Sequence, residues 1–177
     1  IEPYVDGGVG KLVYSGGEPL SRFDDLVRLI KHFSSRCNQW IYTSDYGLTL
    51  EKDTLLKEAG LDGAAISLDH HLENEHNSFR GNSNSYYWVM EGVKNLQEVG
   101  VLVSINACIT KDYIESGSIE ELIELAKKMN VPIVNMLEPR AVGNYQDKDV
   151  ELNQDQLDYL AGISNKYNFN KEYFSYP

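Results

Sequence analysis

A short turn with two adjacent glycines carries the clearest chemical signal in the sequence. Ser15-Gly16-Gly17-Glu18-Pro19 comes at the end of a hydrophobic run at residues 11–15. Two glycines let a ligand approach the backbone closely and leave its N–H and C=O groups free to pair with that ligand. Glu18 adds a carboxylate that can accept from an ammonium group, and Pro19 fixes the direction in which the chain leaves. The same residues also suit an ordinary tight turn, so the surrounding elements must decide.

A second candidate is a histidine-rich stretch in the long polar loop at residues 69–84. Asp69 is followed by His70, His71 and His76, and an aspartate with three histidines could bind a metal ion. Histidines in a loop among acidic and amide side chains are more often solvated. We therefore predict no metal site in this chain.

Five short runs rich in Val, Ile and aromatic residues predict the strands that must position these residues. They lie at residues 11–15, 40–43, 64–68, 101–107 and 132–137. Their continuous apolar character is typical of strands covered on both faces, as in a parallel sheet. Amphipathic segments separate the runs, and we expect residues that favour helix ends to bound them: Ser21, Thr49, Gly60, Gly100, Ser118 and Asn153.

This alternation of strand and helix predicts an α/β fold with right-handed crossovers and a parallel sheet. Five strands could form an open doubly wound sheet or most of a (β/α) barrel. We expect a single domain over residues 1–177, with a lead-in at 1–10, βα units at 11–165 and a tail at 166–177. Gly7-Gly8-Val9-Gly10 looks like a phosphate-binding loop, but it precedes a strand instead of following one. It is better interpreted as a flexible lead-in.

The overall charge and hydropathy exclude some classes of partner. The net charge of −11 makes nucleic acid a poor partner, because affinity for phosphates depends on Lys and Arg. No stretch approaches the roughly 20 apolar residues of a membrane span. Cys37 and Cys108 are far apart in sequence and are interpreted as reduced thiols of a cytosolic protein, although a disulfide stays open. Glu138 and Arg140, after the last run, form either a surface ion pair or part of a ligand mouth.

Ser-Gly-Gly-Glu-Pro-Leu after a hydrophobic strand resembles the GGEP motif of radical S-adenosylmethionine (SAM) enzymes. Further segments match that family in the same order: Thr43-Ser44-Asp45 its Thr-Asn-Gly turn, Ser67-Leu68-Asp69 the end of its next strand, and Phe79-Arg80-Gly81 its arginine loop. The ends of the last two runs, at Asn106 and Leu137, also correspond. The resemblance covers roughly residues 10–145 and implies a partial (β/α) TIM-like barrel with about five βα units.

The resemblance implies that SAM is the cofactor and assigns a part of it to each motif. Gly16, Gly17 and Glu18, with Pro19, would hold the methionine end. Ser67, Asp69 and Arg80 would reach the ribose or the carboxylate, and Thr43 lies in the second turn. Asn106 and Leu137 would lie near the adenine.

The departures from the family are as informative as the matches. The Cys-x3-Cys-x2-Cys motif that binds a [4Fe–4S] cluster should precede residue 11, and it is absent from this chain. Without thiolates there is no cluster, and without a cluster no electron reaches SAM. We therefore expect the chain to be the core of a longer enzyme in which the cluster yields a 5′-deoxyadenosyl radical, and to be inactive alone.

The substrate stays open, and a peptide or protein is one candidate for it. The alternative to an enzyme segment is a non-catalytic barrel module that binds a ligand or a partner chain. Such a module could self-associate through an open strand edge at residues 11–15.

Overall fold

The computed structural model describes residues 1–168 and contains one sheet of five parallel strands. The strands are β1 (Lys11–Tyr14), β2 (Asn38–Thr43), β3 (Gly63–Ser67), β4 (Leu102–Cys108) and β5 (Ile133–Leu137). Each strand pairs with the next one along the chain, in the order β1-β2-β3-β4-β5. The predicted five runs and their adjacency are confirmed.

Helices lie between successive strands, and one more precedes β1 and another follows β5. They are α1 (Glu2–Asp6), α2 (Phe23–Phe33), α3 (Leu50–Ala59), α4 (Glu73–Arg80), α5 (Ser85–Glu98), α6 (Lys111–Glu115), α7 (Ile119–Lys128) and α8 (Gln154–Asn168), with short 3₁₀ helices at Pro19–Arg22 and Gly143–Tyr145. A doubly wound sheet reverses its strand order at a switch point. Because this order never reverses, and β1 and β5 stay unpaired edges within residues 1–168, the predicted partial barrel is confirmed. None of the helices in this range is long and apolar enough to span a membrane.

The two faces of the sheet differ in character because side chains alternate along each strand. The outer face packs against the helices, and its central residues Ile41, Ile66 and Ile105 are completely buried. The inner face carries Trp40 and Tyr42 together with polar residues of β3, β4 and β5. It borders a cavity of about 900 Å³. The barrel is therefore solid on its helical side and hollow on its inner side.

Several helix ends follow the sequence signals, and two do not. The Thr49 hydroxyl accepts from the backbone N–H of Lys52, and α3 ends at Gly60 with a left-handed φ of 108°. Asn153 accepts from the N–H of Gln156 at the start of α8. Gly100, just beyond α5, also has a positive φ.

Ser21 and Ser118 do not cap helices as expected. Ser21 lies inside the 3₁₀ helix Pro19–Arg22, so that Arg22 becomes the N-cap of α2. Ser118 occupies the N-cap of α7, but its hydroxyl donates to the carbonyl of Ser116. In both cases the hydroxyl donates to a carbonyl that lies two or three residues earlier in the chain.

Two segments predicted to be irregular are helical. Residues 1–10 contain α1, whose Val5 is buried and whose Glu2 accepts from Arg36 beyond α2. The polar loop at 69–84 contains α4, which packs against α5. Of the predicted tail, residues 166–168 belong to α8, and the rest lies outside the described residues.

Candidate functional site

The turn after β1 opens one wall of a cleft at the carboxyl end of the sheet. Gly16 has a φ of 142°, a conformation that favours glycine. A Cβ added to Gly16 or Gly17 would meet no atom within 4 Å. The two glycines therefore border open space, and their backbone groups are accessible to a ligand.

The Glu18 carboxylate ties this turn to the turn after β2. Its Oε1 accepts from the Thr43 hydroxyl at 2.8 Å and from the N–H of Leu20 at 3.1 Å. Its Oε2 accepts from the backbone N–H of Ser44 at 2.8 Å and from the Ser44 hydroxyl at 2.6 Å. A carboxylate has about four lone-pair sites, so these four donors fix its position. Glu18 is thus a half-buried anion in a rigid setting.

Across the cleft, Asp69 holds Arg80 in place. The Arg80 Nε donates to Asp69 Oδ2 at 2.5 Å, and the backbone N–H of Cys108 donates to Asp69 Oδ1 at 2.9 Å. The Asp69 side chain is 2% exposed, whereas that of Arg80 is 31% exposed. The terminal guanidinium nitrogens of Arg80 have no hydrogen-bond partner within the described chain. They are available to an anionic ligand in the cleft.

His76 binds the backbone of Asp69 next to this ion pair. It is not the solvated loop histidine that we predicted. It is 1% exposed in α4, and its Nδ1 accepts from the backbone N–H of Asp69 at 3.1 Å. Burial lowers the pKa of the imidazole to about 4, more than the nearby Asp69 raises it. His76 is therefore a neutral core residue that orients the end of β3.

The floor of the cleft is polar at its centre and apolar at its rim. Asn106 on β4 accepts at its Oδ1 from the Nδ2 of Asn135 on β5, at 2.8 Å. Ser67 lies beside Asn106 in the paired strands. Leu137 ends β5 with 47% of its surface exposed. A ligand here would meet amide and hydroxyl groups below and an aliphatic side chain at the edge.

These residues line one cleft of about 280 Å³. It brings together all the predicted cofactor-binding residues except one: Gly16, Gly17, Glu18, Thr43, Ser67, Asp69, Arg80, Asn106 and Leu137. Pro19 lies outside, where it begins the 3₁₀ helix and borders a groove beside α2. Thr43 is 3% exposed, and its hydroxyl is already bonded to Glu18.

The cleft also contains residues that the sequence prediction did not assign. Ser44 contributes two of the four bonds to Glu18, and its place directly after Thr43 at a strand end was a usable signal. Tyr42 and Cys108 line the cleft as well. Burial raises the pKa of the Cys108 thiol. No sequence pattern pointed to Cys108, because a single cysteine forms no motif with a second cysteine at a defined spacing.

Both cysteines are free thiols, and they lie at opposite ends of the sheet. Cys37 precedes β2 at the amino end of the strands, whereas Cys108 is the last residue of β4 at the carboxyl end. They cannot ligate one iron–sulfur cluster together. Across residues 1–168, no three His, Cys, Asp or Glu side chains form a group suited to a metal ion.

The remaining candidates lie at the surface. Arg140 and Glu138 form an exposed ion pair at 2.9 Å and do not line the cleft. His70 stacks on Tyr113, with ring centroids 4.3 Å apart, and its Nδ1 accepts from the N–H of Leu72. The surface interpretation of Glu138 and Arg140 is the one the structure favours.

Comparison with known proteins identifies the family. Residues 1–128 match the Radical SAM superfamily. The chain is 30% identical over 173 residues to a GTP 3′,8-cyclase of Campylobacter fetus, which covers 95% of this chain and 51% of that relative. It is 28% identical over 116 residues to an AdoMet-dependent heme synthase of Oleidesulfovibrio alaskensis, which covers 63% of this chain and 29% of that relative. The chain thus spans about half the length of these curated relatives, or less.

Solved structures share the fold at low sequence identity. anSMEcpe, solved with bound AdoMet and the Cp18Cys peptide, superimposes with a TM-score of 0.69 at 16% identity, over 93% of this chain and 49% of that one. Coproporphyrinogen III oxidase (HemN) from Escherichia coli gives a TM-score of 0.61 at 14% identity, over 89% of this chain and 40% of that one. The sequence match extends over most of the chain, and the chain belongs to the radical SAM superfamily.

Proposed function

We propose that this chain is the SAM-binding core of a radical SAM enzyme, with SAM in the cleft between the turn after β1 and Arg80. The observation that carries the proposal is the pairing of opposite charges across that cleft. Glu18 presents an anion on one wall, and Arg80 presents unpaired guanidinium nitrogens on the other. The methionine end of SAM is a zwitterion whose ammonium and carboxylate complement this arrangement.

The first wall suits the ammonium group. The glycine turn leaves open space next to its backbone, so that carbonyl groups there can accept from a cation. The Glu18 charge lies beside that turn and is immobilised by its four donors. A fixed anion attracts a cation without the cost of ordering its own side chain.

The second wall suits the carboxylate and the sugar. Asp69 occupies the Arg80 Nε and so turns the terminal nitrogens toward the cleft, where a guanidinium binds a carboxylate with two parallel hydrogen bonds. Ser67 and Asn106 supply hydroxyl and amide groups for ribose hydroxyls, and Leu137 offers an apolar edge for the adenine. The cleft, at about 280 Å³, is at the lower limit of ligand pockets, about 300–1,000 Å³.

Radical cleavage of SAM supplies a 5′-deoxyadenosyl radical, and in this family it requires electrons from a [4Fe–4S] cluster. The two cysteines of this chain cannot hold that cluster, because they lie at opposite ends of the sheet. We therefore propose that the chain alone binds SAM weakly and does not cleave it. The activity would belong to a longer protein that carries the cluster motif.

The hollow of the barrel is the proposed substrate side. The cavity on the inner face shares Tyr42, Asn106 and Leu137 with the cleft, so the two spaces adjoin at these residues. At its far end Lys11 lies over the Trp40 ring at 3.9 Å. A substrate in this cavity would approach SAM from the side of the sugar.

The experiment uses the longer protein with its cluster reconstituted. SAM affinity is measured by equilibrium dialysis, and 5′-deoxyadenosine is quantified after chemical reduction. Arg80→Ala should weaken SAM binding about tenfold or more, since it removes a charge-assisted pair. Arg22→Ala is the matched control, because Arg22 is 80% exposed outside the cleft. Equal SAM affinities of wild type and Arg80→Ala would contradict the proposed cleft.

The second candidate function is a non-catalytic module that associates through its sheet edge. The observation in its favour is β1, an edge strand of the described sheet with Val13 39% exposed. An exposed edge strand can pair with another chain. Sedimentation velocity on this chain separates the two candidates when combined with the reduction assay: concentration-dependent dimers without any SAM cleavage in the longer protein would favour the module.

A further inference from the structure

Two buried carboxyl groups behind the cleft have no hydrogen-bond partners among the described residues. Asp45 is 3% exposed and its Oδ1 is unpaired, whereas Asp53 in α3 is completely buried with both oxygens unpaired. A buried ionised carboxylate without a partner is strongly unfavourable.

Asp45 sits in the turn that fastens Glu18. It follows Ser44 directly, has a left-handed φ of 66°, and donates its backbone N–H to the Thr43 hydroxyl at 2.9 Å. Its carboxyl packs against α5 at Gly92, where an added Cβ would fall 1.5 Å from Asp45 Oδ2. The position of the Asp45 side chain and the position of the turn are therefore linked.

The charges around the pair favour neutral carboxyls. Burial, and after it the negative charges of Asp53 and Glu18, raise the pKa of Asp45 to about 8. Burial raises the pKa of Asp53 to about 7, against a smaller opposing effect of Lys52. The Lys52 ammonium donates to the carbonyl of Gly47 at 2.6 Å, and the Asp45 carboxyl packs against the uncharged Gly92 of α5. Within residues 1–168, neither Asp45 nor Asp53 forms an ion pair with a basic side chain.

We propose that Asp45 is a positioning residue for the cofactor cleft, and that it holds the Thr43–Ser44 turn against Glu18 only while the Asp45 carboxyl keeps its proton. The effect on SAM rests on the proposed function of the cleft. The contact of protonated Asp45 that keeps Ser44 bonded to Glu18, which we call the latch, is a property of the chain alone. Loss of the proton to water leaves an unpaired anion inside the protein. The Asp45 side chain must then leave its place beside Gly92, and Ser44 must leave Glu18 with it.

The first test follows the latch in this chain without SAM. Carboxyl NMR titration reports the protonation of Asp45, and hydrogen exchange reports the protection factor of the Ser44 amide. In the wild type the protection factor should decrease about tenfold between about pH 7 and pH 9, as the carboxyl ionises. Asp45→Asn has the same shape but no charge to gain, so its protection should change less than about twofold over that range.

Two further variants keep the test decisive. Asp45→Gly removes the carboxyl at a φ that suits glycine, and it should also be insensitive to pH if Asp45→Asn does not fold. Glu58→Gln, an exposed acid of α3, should behave like the wild type. An Asp45 carboxyl that ionises below about pH 6, or equal protection profiles in wild type and Asp45→Asn, would overturn the latch. Recovery of protection at high pH on adding Na⁺ or Ca²⁺ would show a bound cation in place of the proton.

The second test measures SAM affinity in the cluster-loaded longer protein. Between about pH 7 and pH 9 the wild type should lose about fivefold more affinity than Asp45→Asn. The SAM amino group titrates equally with both proteins, so the difference isolates Asp45. A wild-type affinity that increases with pH relative to Asp45→Asn would mean that the new charge simply attracts the ammonium, and would overturn the positioning role. A latch that operates without any effect on SAM would count against the proposed function and not against the latch.

The contact with α5 provides a steric version of the same experiment. Gly92→Ala forces the Asp45 carboxyl away at any pH, and should lower Ser44 protection at pH 7 as ionisation does. Asp45→Gly removes the clash, so the double variant should recover the protection of Asp45→Gly alone. Additive effects of the two substitutions would show that the Asp45–Gly92 contact does not control the turn.

Discussion

Replacing Glu18 with Gln tests whether the carboxylate holds the turns after β1 and β2 together, attracts SAM, or does both. Each Glu18 oxygen accepts from one backbone N–H and one hydroxyl: Leu20 and Thr43 at Oε1, and Ser44 twice at Oε2. The hydroxyls can rotate to accept from an amide, but the backbone N–H groups cannot. The single carbonyl of Gln can serve only one of them, so the other loses its acceptor.

The size of the effect follows from these bonds. A hydrogen bond to a charged group contributes about 1.5–3 kcal/mol, and a neutral one about half of that. For a half-buried group we expect the free energy of unfolding to decrease by about 2 kcal/mol, which lowers Tm by about 4–8 °C in a domain of this size. SAM affinity in the longer protein should decrease about ten- to a hundredfold, because the anion beside the ammonium is lost.

The assay combines thermal unfolding of this chain with SAM titration of the longer protein. Glu138→Gln is the matched control, because Glu138 follows β5 and its ion-pair partner within residues 1–168 is the exposed Arg140. Such surface pairs contribute about 0–1 kcal/mol. A reduced Tm with unchanged SAM affinity would mean that Glu18 links the two turns and has no part in SAM binding. Unchanged values of both would refute the reasoning from the four bonds.

Two further predictions concern the interior. Gly63→Ala should destabilise the chain by about 1–3 kcal/mol, because its Cβ would fall 2.4 Å from the Trp40 ring. Urea unfolding measures the effect, with Gly162→Ala as the control, because a Cβ at Gly162 meets nothing within 4 Å. Equal unfolding midpoints of the two variants would contradict the packing argument. The depressed pKa of His76, about 4, means that the unfolded chain takes up a proton before the folded chain does. The contribution of His76 to stability should therefore be complete above about pH 6.5 and decline toward pH 4. Urea unfolding at a series of pH values should show this decline in the wild type and not in His76→Phe. An NMR titration in which the imidazole becomes charged above about pH 6 would contradict the prediction.

The strands and their order could be predicted from the sequence, because a short apolar run between two helical segments fits a buried parallel strand and few other structures. The run ending at Ala107 places Val103, Ile105 and Ala107 on the face that packs against the helices, where all three are buried. Gly60 and Gly100 each follow a helix and have a positive φ. The cleft followed from topology: once the strands are parallel, all their carboxyl ends meet at one edge, and residues that end different strands become neighbours.

Burial of polar residues could not be predicted in the same way. His76 lies in a segment of polar letters, and only the packing of α4 on α5 makes it a core residue. Asp45 and Asp53 look like exposed acids in a turn and a helix. The caps expected of Ser21 and Ser118 failed for a related reason, because a hydroxyl bonds the nearest available group and the turn geometry decides which group that is.

The sequential order of the sheet has a kinetic consequence. Every strand of the described sheet pairs with its neighbour in sequence, so each new βα unit finds its partner already made when it leaves the ribosome. Chain growth and sheet growth then run in the same direction, as in repeat proteins, where a structure extends one unit at a time from a stable neighbour. The cleft residues are spread over all five units. A nascent chain would therefore hold four paired strands before Leu137 of β5 completes the cleft, and of the described elements only the 3₁₀ helix Gly143–Tyr145 and α8 would form after the binding site.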